Sequence, residues 1–170
     1  MATLLTRLQD LPTLLDQGLS LIAVETPLTE RNKILQFLAE IATKRQFPLF
    51  FWNQGYSKLQ QVQPLIDSSL AQIRLASTTF EISSDSGLGW LLTNDQPGIF
   101  VFEGALLPSE VTGTFSHSQM ALLSNLAYQL ALPNRNQVLV CLDNYVELPL
   151  ELVPLIPVLV NQLPDTQTVQ

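Results

Sequence analysis

Leu19-Ser-Leu-Ile-Ala-Val-Glu-Thr-Pro-Leu-Thr-Glu-Arg-Asn-Lys33 decides how the rest of the chain reads. An apolar run short enough for a buried strand gives way at Thr26-Pro27 to a helix start. Thr26 has the side chain to cap free backbone N–H groups. Pro27 suits a first helical position, because its missing N–H would be unpaired there. Leu28, Ile34, Leu35, Leu38 and Ile41 then recur at helical spacing to about Gln46. Lys44 and Arg45 fall in the last turn, where they complement the helix dipole. Phe47-Pro-Leu-Phe-Phe-Trp52 reads as a second strand. Two strands joined by a crossover of about twenty residues make a parallel βαβ unit.

Working outward, Leu4, Leu5, Leu8, Leu11, Leu14 and Leu15 mark a helix over about 2–17, with a bend at Pro12 and a stop at Gly18. Residues 53–85 are rich in Gln, Ser and Thr and read as a surface excursion, with a short helix or hairpin around Leu70–Ile82. Ser86–Asn94 reads as a short helix weakened by Gly87 and Gly89. Gly98-Ile-Phe-Val-Phe-Glu103 is a third strand, apolar enough to be covered on both faces. A loop over 104–117 leads to a helix over Ser118–Leu132, ended by Pro133-Asn-Arg-Asn. Gln137-Val-Leu-Val-Cys-Leu142 is a fourth strand. A helical turn at Leu148–Leu152 precedes a fifth, Pro157–Val160. The expected fold is α/β, three-layered, with a mainly parallel sheet of about five strands. One domain spans 1–165, and a polar tail, 166–170, frays.

The 170 residues hold 15 Asp+Glu against 8 Lys+Arg, a net charge of −7. A nucleic-acid footprint needs a basic stripe, and none is available. One Cys and one His exclude a disulfide scaffold and a multi-histidine metal site. No apolar run reaches the roughly 18 residues of a membrane span. The N-terminus lacks the layout of a signal peptide, so a cytoplasmic protein is expected. Charged residues are only 14% of the chain, which suggests burial against a neighbour.

Ligands of parallel α/β sheets bind at the carboxyl ends of strands. Those ends carry Glu25-Thr26, Trp52-Asn53, Glu103-Gly104 and Asp143-Asn144. Glu25, Glu103, Asp143 and Asn144 form a candidate strand-end polar site, in which Glu103 and Asp143 lie where a nucleotide hydrolase often keeps a magnesium-directing acid and a sensor polar residue. A phosphate loop after the first strand would need Gly-x-x-x-x-Gly-Lys-Ser/Thr, whose backbone N–H groups curl round phosphate. Here the junction has no glycine, and Glu25 and Glu30 repel phosphate. Nucleotide hydrolysis by this chain is not expected. Glu103 reads either as a general base or as a solvated cap. His117 reads as a capping or exposed residue, and Ser116 beside it does not make a triad. Cys141 is a buried hydrophobe. Arg135 is an isolated cation in a turn, a poor candidate for an arginine acting in trans. Trp52 and Tyr56, flanking Gly55, form either an exposed aromatic platform for a partner or the rim of the core.

Three segments carry a family likeness: Leu21-Ile-Ala-Val-Glu-Thr-Pro-Leu-Thr-Glu-Arg31, Phe50-Phe-Trp-Asn-Gln-Gly-Tyr56, and the stretch from Gln137-Val-Leu-Val-Cys-Leu-Asp143 through Glu147-Leu-Pro-Leu-Glu-Leu to Leu163-Pro-Asp165. With Gly98–Glu103, they resemble in order and spacing the N-terminal region of the AAA-domain (AAA+) ATPases of cyanobacteria and algal plastids. The resemblance implies a degenerate P-loop-type domain, without a phosphate loop, ahead of a complete AAA+ module. It implies no catalytic, cofactor-binding or metal-binding residue in this chain, with ATP and magnesium bound only by the following module. Its implied partners are that module and homo-oligomer neighbours. Its implied setting is photosynthesis and inorganic-carbon regulation. The expected function is therefore non-catalytic: oligomer contact, partner recruitment or regulation of an ATPase. A stand-alone adaptor lacking the ATPase module is the alternative. A cryptic nucleotide site at Glu103 and Asn144 is a third.

Overall fold

The computed structural model describes residues 7–65, 72–83, 87–108 and 111–161. A 3-10 turn over Leu8–Asp10 leads into α1 (Leu11–Asp16). Then come β1 (Leu21–Glu25), α2 (Arg31–Arg45), β2 (Leu49–Trp52), β3 (Lys58–Leu65) and β4 (Gln72–Glu81). The chain continues through α3 (Gly87–Thr93), β5 (Gly98–Glu103), α4 (His117–Leu130), β6 (Gln137–Asp143) and β7 (Val158–Val160). The strands form one sheet in the order β4-β3-β2-β5-β6-β1-β7. β2, β5, β6, β1 and β7 are mutually parallel, whereas β3 is antiparallel to both its neighbours.

Burial follows from this arrangement. β2 and nearly all of β1, β5 and β6 are buried on both sides. Layers of helix cover both faces of a parallel sheet, so its strands read as unbroken apolar runs. Ile22, Val24, Phe51, Val101 and Val140 pack on one face with α1 and α2. Ala23, Phe50, Phe100, Phe102 and Cys141 pack on the other with α3, α4 and the turn at Leu152–Ile156. The result is three layers, helix, sheet and helix. Gly98 is required where β5 begins. Its φ is +149°, and an added Cβ would lie 2.9 Å from the carbonyl oxygen of Pro48.

Several expectations change. Among the described residues the sheet has seven strands rather than about five, because the stretch read as a surface excursion with a short helix or hairpin around Leu70–Ile82 holds the longer β3–β4 hairpin. β4 alternates between more and less exposed residues along most of its length, and its polar residues hid it from an apolar count. Pro12 does not bend a long helix but sits in the first turn of the short α1. Pro27 is extended, with ψ 142°, and precedes a 3-10 turn (Leu28–Glu30) that leads into α2. Thr26 is buried and does not cap it; its hydroxyl oxygen accepts a bond from Asn161 Nδ2 at 3.0 Å. α4 starts one residue earlier than expected, at His117, with Ser116 as its cap: Gln119 N–H donates to Ser116 Oγ at 3.0 Å. Leu4 and Leu5, Leu70 and the tail 166–170 lie outside the described residues.

Candidate functional site

β1 and β6 mark the point where the sheet's connections part. The chain leaves β1 over one face to reach β2, and leaves β6 over the other face to reach β7 on the far side of β1. Such a switch point opens a crevice at the carboxyl ends of the strands. Glu25 and Asp143 are register partners there, and Glu103 stands opposite Leu142.

The register divides the candidate residues. In parallel strands, register partners point to the same face. Glu25 and Asp143 follow Ala23 and Cys141 in alternation and turn toward the α4 layer. Glu103 turns toward α2. Each acid then finds its own partner. Val146 N–H donates to Glu25 Oε2 at 2.9 Å, and Leu106 N–H donates to Asp143 Oδ2 at 3.2 Å. Glu103 Oε1 accepts from Arg31 at 3.2 Å and from Asn53 Nδ2 at 3.0 Å. Arg31 also lies over the Phe51 ring, 5.0 Å from its centroid. Asn144 is exposed. The strand-end polar residues thus share one edge of the sheet but do not converge on one point.

Asp143 is the perturbed member. Burial pushes its carboxyl up to about 7, the Leu106 N–H partly offsets this, and the Glu103 carboxylate pushes the same way as burial. Cys141 is fully buried, and burial holds its thiol far above the ordinary range. Among the described residues, no group of three His, Cys, Asp or Glu is placed to hold a metal ion.

Trp52 is only 4% exposed, and its Nε1 donates to the carbonyl oxygen of Tyr56 at 2.9 Å. Tyr56 is half-buried, edge-on to Phe51. Of the two readings given to this pair, Trp52 takes the core one. Arg135 is a structural clamp: its guanidinium donates to the carbonyls of Leu91, Leu92 and Asn94 at the end of α3. Lys33 pairs with Glu30 at 3.4 Å.

The open space lies beside the acids. A cavity of about 860 Å³ sits at the ends of β2 and β5, with Trp52, Leu88, Glu103, Leu107 and Gln119 among its walls. A second, of about 430 Å³, lies between Phe115, Met120, Tyr145 and Leu148. Pro108 and Gly113 border both, so the loop after β5 separates them. Gly87 makes part of the first wall; a Cβ there would run into the Trp52 ring. Gln119 Nε2 holds the loop to α4 through the carbonyls of Ala105 and Leu107. Asn53 was marked in the sequence only by its place at a strand end, and Arg31 and Gln119 carried no signal as site residues, because each acquires its role through a partner distant along the chain.

Set against known proteins, the chain matches no family model, no curated protein and no solved structure.

Proposed function

We propose that the chain is a non-catalytic α/β domain that works through contacts with other proteins. One observation carries this reading: the three strand-end acids are each bonded to an internal partner, on two different faces of the sheet. The β1–α2 connection supports it as well. It has no glycine, and it spends the Thr26 N–H on the Asp143 carbonyl at 2.9 Å. A phosphate would find neither a ring of free N–H groups nor an available lysine there. The order of the parallel strands, with β1 inside the sheet and a switch point beside it, suits a degenerate P-loop-type domain. In the AAA+ reading, this domain serves an ATPase module that itself binds ATP and magnesium, within photosynthetic or inorganic-carbon regulation.

Calorimetric titration of the chain with Mg-ATP tests the non-catalytic part. No saturable heat at millimolar nucleotide is expected, and a stoichiometric site with turnover would overturn it. The AAA+ part is tested by the protein's native size in cell extract, blotted with antibody raised to this chain. A band well above 18.9 kDa is expected. A band at that mass would favour the free-standing adaptor.

A further inference from the structure

Charge is distributed unevenly along the chain. Residues 1–74 hold seven Lys+Arg and six Asp+Glu, whereas residues 75–170 hold one Lys+Arg and nine Asp+Glu. That single cation, Arg135, is consumed by three carbonyls beneath α3. The second stretch builds most of β4, the α3–α4 layer, β5–β7 and the loops beyond β5 and β6. On the cavity side Glu103 is met by Arg31 of the first stretch, whereas Glu147 and Glu151 of the β6–β7 crossover form no ion pair among the described residues.

The same loops expose apolar side chains. Leu107 is 56% exposed, Tyr145 66%, Leu150 86% and Val153 53%. Leu107 borders the larger cavity and Tyr145 the smaller, while Leu150 and Val153 continue along the β6–β7 crossover. Glu103 lines the first cavity and Glu147 the second, and Glu151 is exposed beside Leu150. Apolar side chains set among acids, around two recesses, make a surface with a definite complement.

We propose that the loops after β5 and β6 form a docking face for a basic amphipathic segment of a partner protein. Its apolar side covers Leu107, Tyr145 and Leu150, and its Lys or Arg residues meet Glu147 and Glu151. Charge complementarity selects this occupant. A second copy would bring acid against acid, and anionic lipid or nucleic acid would be repelled. The proposal rests on the reading of the chain as an interaction domain and adds the chemistry of the partner.

The probe is a fluorescein-labelled Leu/Lys amphipathic helix of about five turns, with its Leu/Glu counterpart as control, followed by anisotropy. The Leu/Lys peptide is expected to bind, with affinity falling as salt rises, and the Leu/Glu peptide to bind at least roughly tenfold more weakly. The double change Leu107→Ser with Leu150→Ser should weaken Leu/Lys binding about tenfold, and so should Glu147→Lys with Glu151→Lys. Leu28→Ser, at an exposed position before α2, should leave it unchanged. All these positions are exposed, so circular dichroism should show intact folding for every variant. Equal binding of both peptides would overturn the proposal. So would binding indifferent to the loop variants, or self-association that the peptide does not displace. Mg-ATP is titrated in the same cell. Saturable nucleotide binding would defeat the interaction-domain reading, whereas absence of both nucleotide and peptide binding would defeat the docking face alone.

Discussion

β1 and β5 lie on either side of β6, run in the same direction and both end in glutamate, yet their ends differ. Beyond Glu25 the chain closes at once. Thr26 is pinned by the Asp143 carbonyl and by Asn161, Val146 donates to the Glu25 carboxylate, and Pro27 leads directly into a helical turn. Beyond Glu103 the chain turns at Gly104 and takes a long loop before α4 begins. That loop leaves recesses on both its sides. Strands that both finish in glutamate thus give one sealed end and one open end, their two carboxylates turned to opposite faces of the sheet. The connection that follows a strand, rather than the residue that ends it, decides whether a site forms there.

The strongest way to break this comparison is through Asp143, which lies between the two ends. Its folded carboxyl sits at about 7 against an ordinary value of 3.8. Between those values the native chain keeps a proton that the unfolded chain has released. Stability therefore falls as pH rises through that window and levels off above it, by up to about 1.4 kcal/mol per pH unit. Asp143→Asn should flatten the slope and leave the variant more stable than the parent at pH 8 by a few kcal/mol. Urea unfolding at pH 5 and pH 8 measures this, and a parent with no slope would assign Asp143 to a solvated setting.

Next in size is the wall of the open end. Gly87→Ala drives a methyl group into the Trp52 ring and should cost about 1–3 kcal/mol. Thermal melts read the loss, and Trp emission should change with it. A neutral outcome would mean that α3 shifts freely over the cavity. At the sealed end, Glu25→Gln keeps an acceptor for Val146 but removes its charge, for about 1 kcal/mol. Loss of several kcal/mol would make this bond the keystone of the β6–β7 crossover. The smallest effect belongs to Leu107→Ser, within about 0.5 kcal/mol, because that side chain already lies largely in water. A measurable drop in denaturation midpoint would show that Leu107 supports the fold instead of standing free.

Legibility followed the same division. The β1, β2, β5 and β6 runs were plain in the sequence, because a strand buried on both faces has to be apolar throughout. The hairpin was obscure. β3 and β4 draw on Gln, Ser and Thr, and much of their order comes from pairing with each other: Thr78 Oγ1 donates to the Leu59 carbonyl oxygen, and Arg74 to Gln63. The acids at the strand ends were found by position alone, and their separation onto two faces needed the register. Trp52 kept two readings open because a large ring beside a glycine suits either a surface or a core. The ring's contact with Gly87 and the bond from Nε1 to Tyr56 place it inside.

Composition and periodicity were enough for an α/β chain with a parallel core, and the residues after the first strand were enough to show that no Gly-x-x-x-x-Gly-Lys-Ser/Thr stands there, since each of these depends on residue types and near neighbours. Pairings that join residues far apart in the chain required the fold: Arg31 with Glu103, Arg135 under α3, Val146 on Glu25. So did the placing of Glu147 and Tyr145 beside the loop after β5, around one recess. Long-range proximity is set by how helices and strands stack to exclude water, and local sequence does not encode which distant groups that stacking brings together.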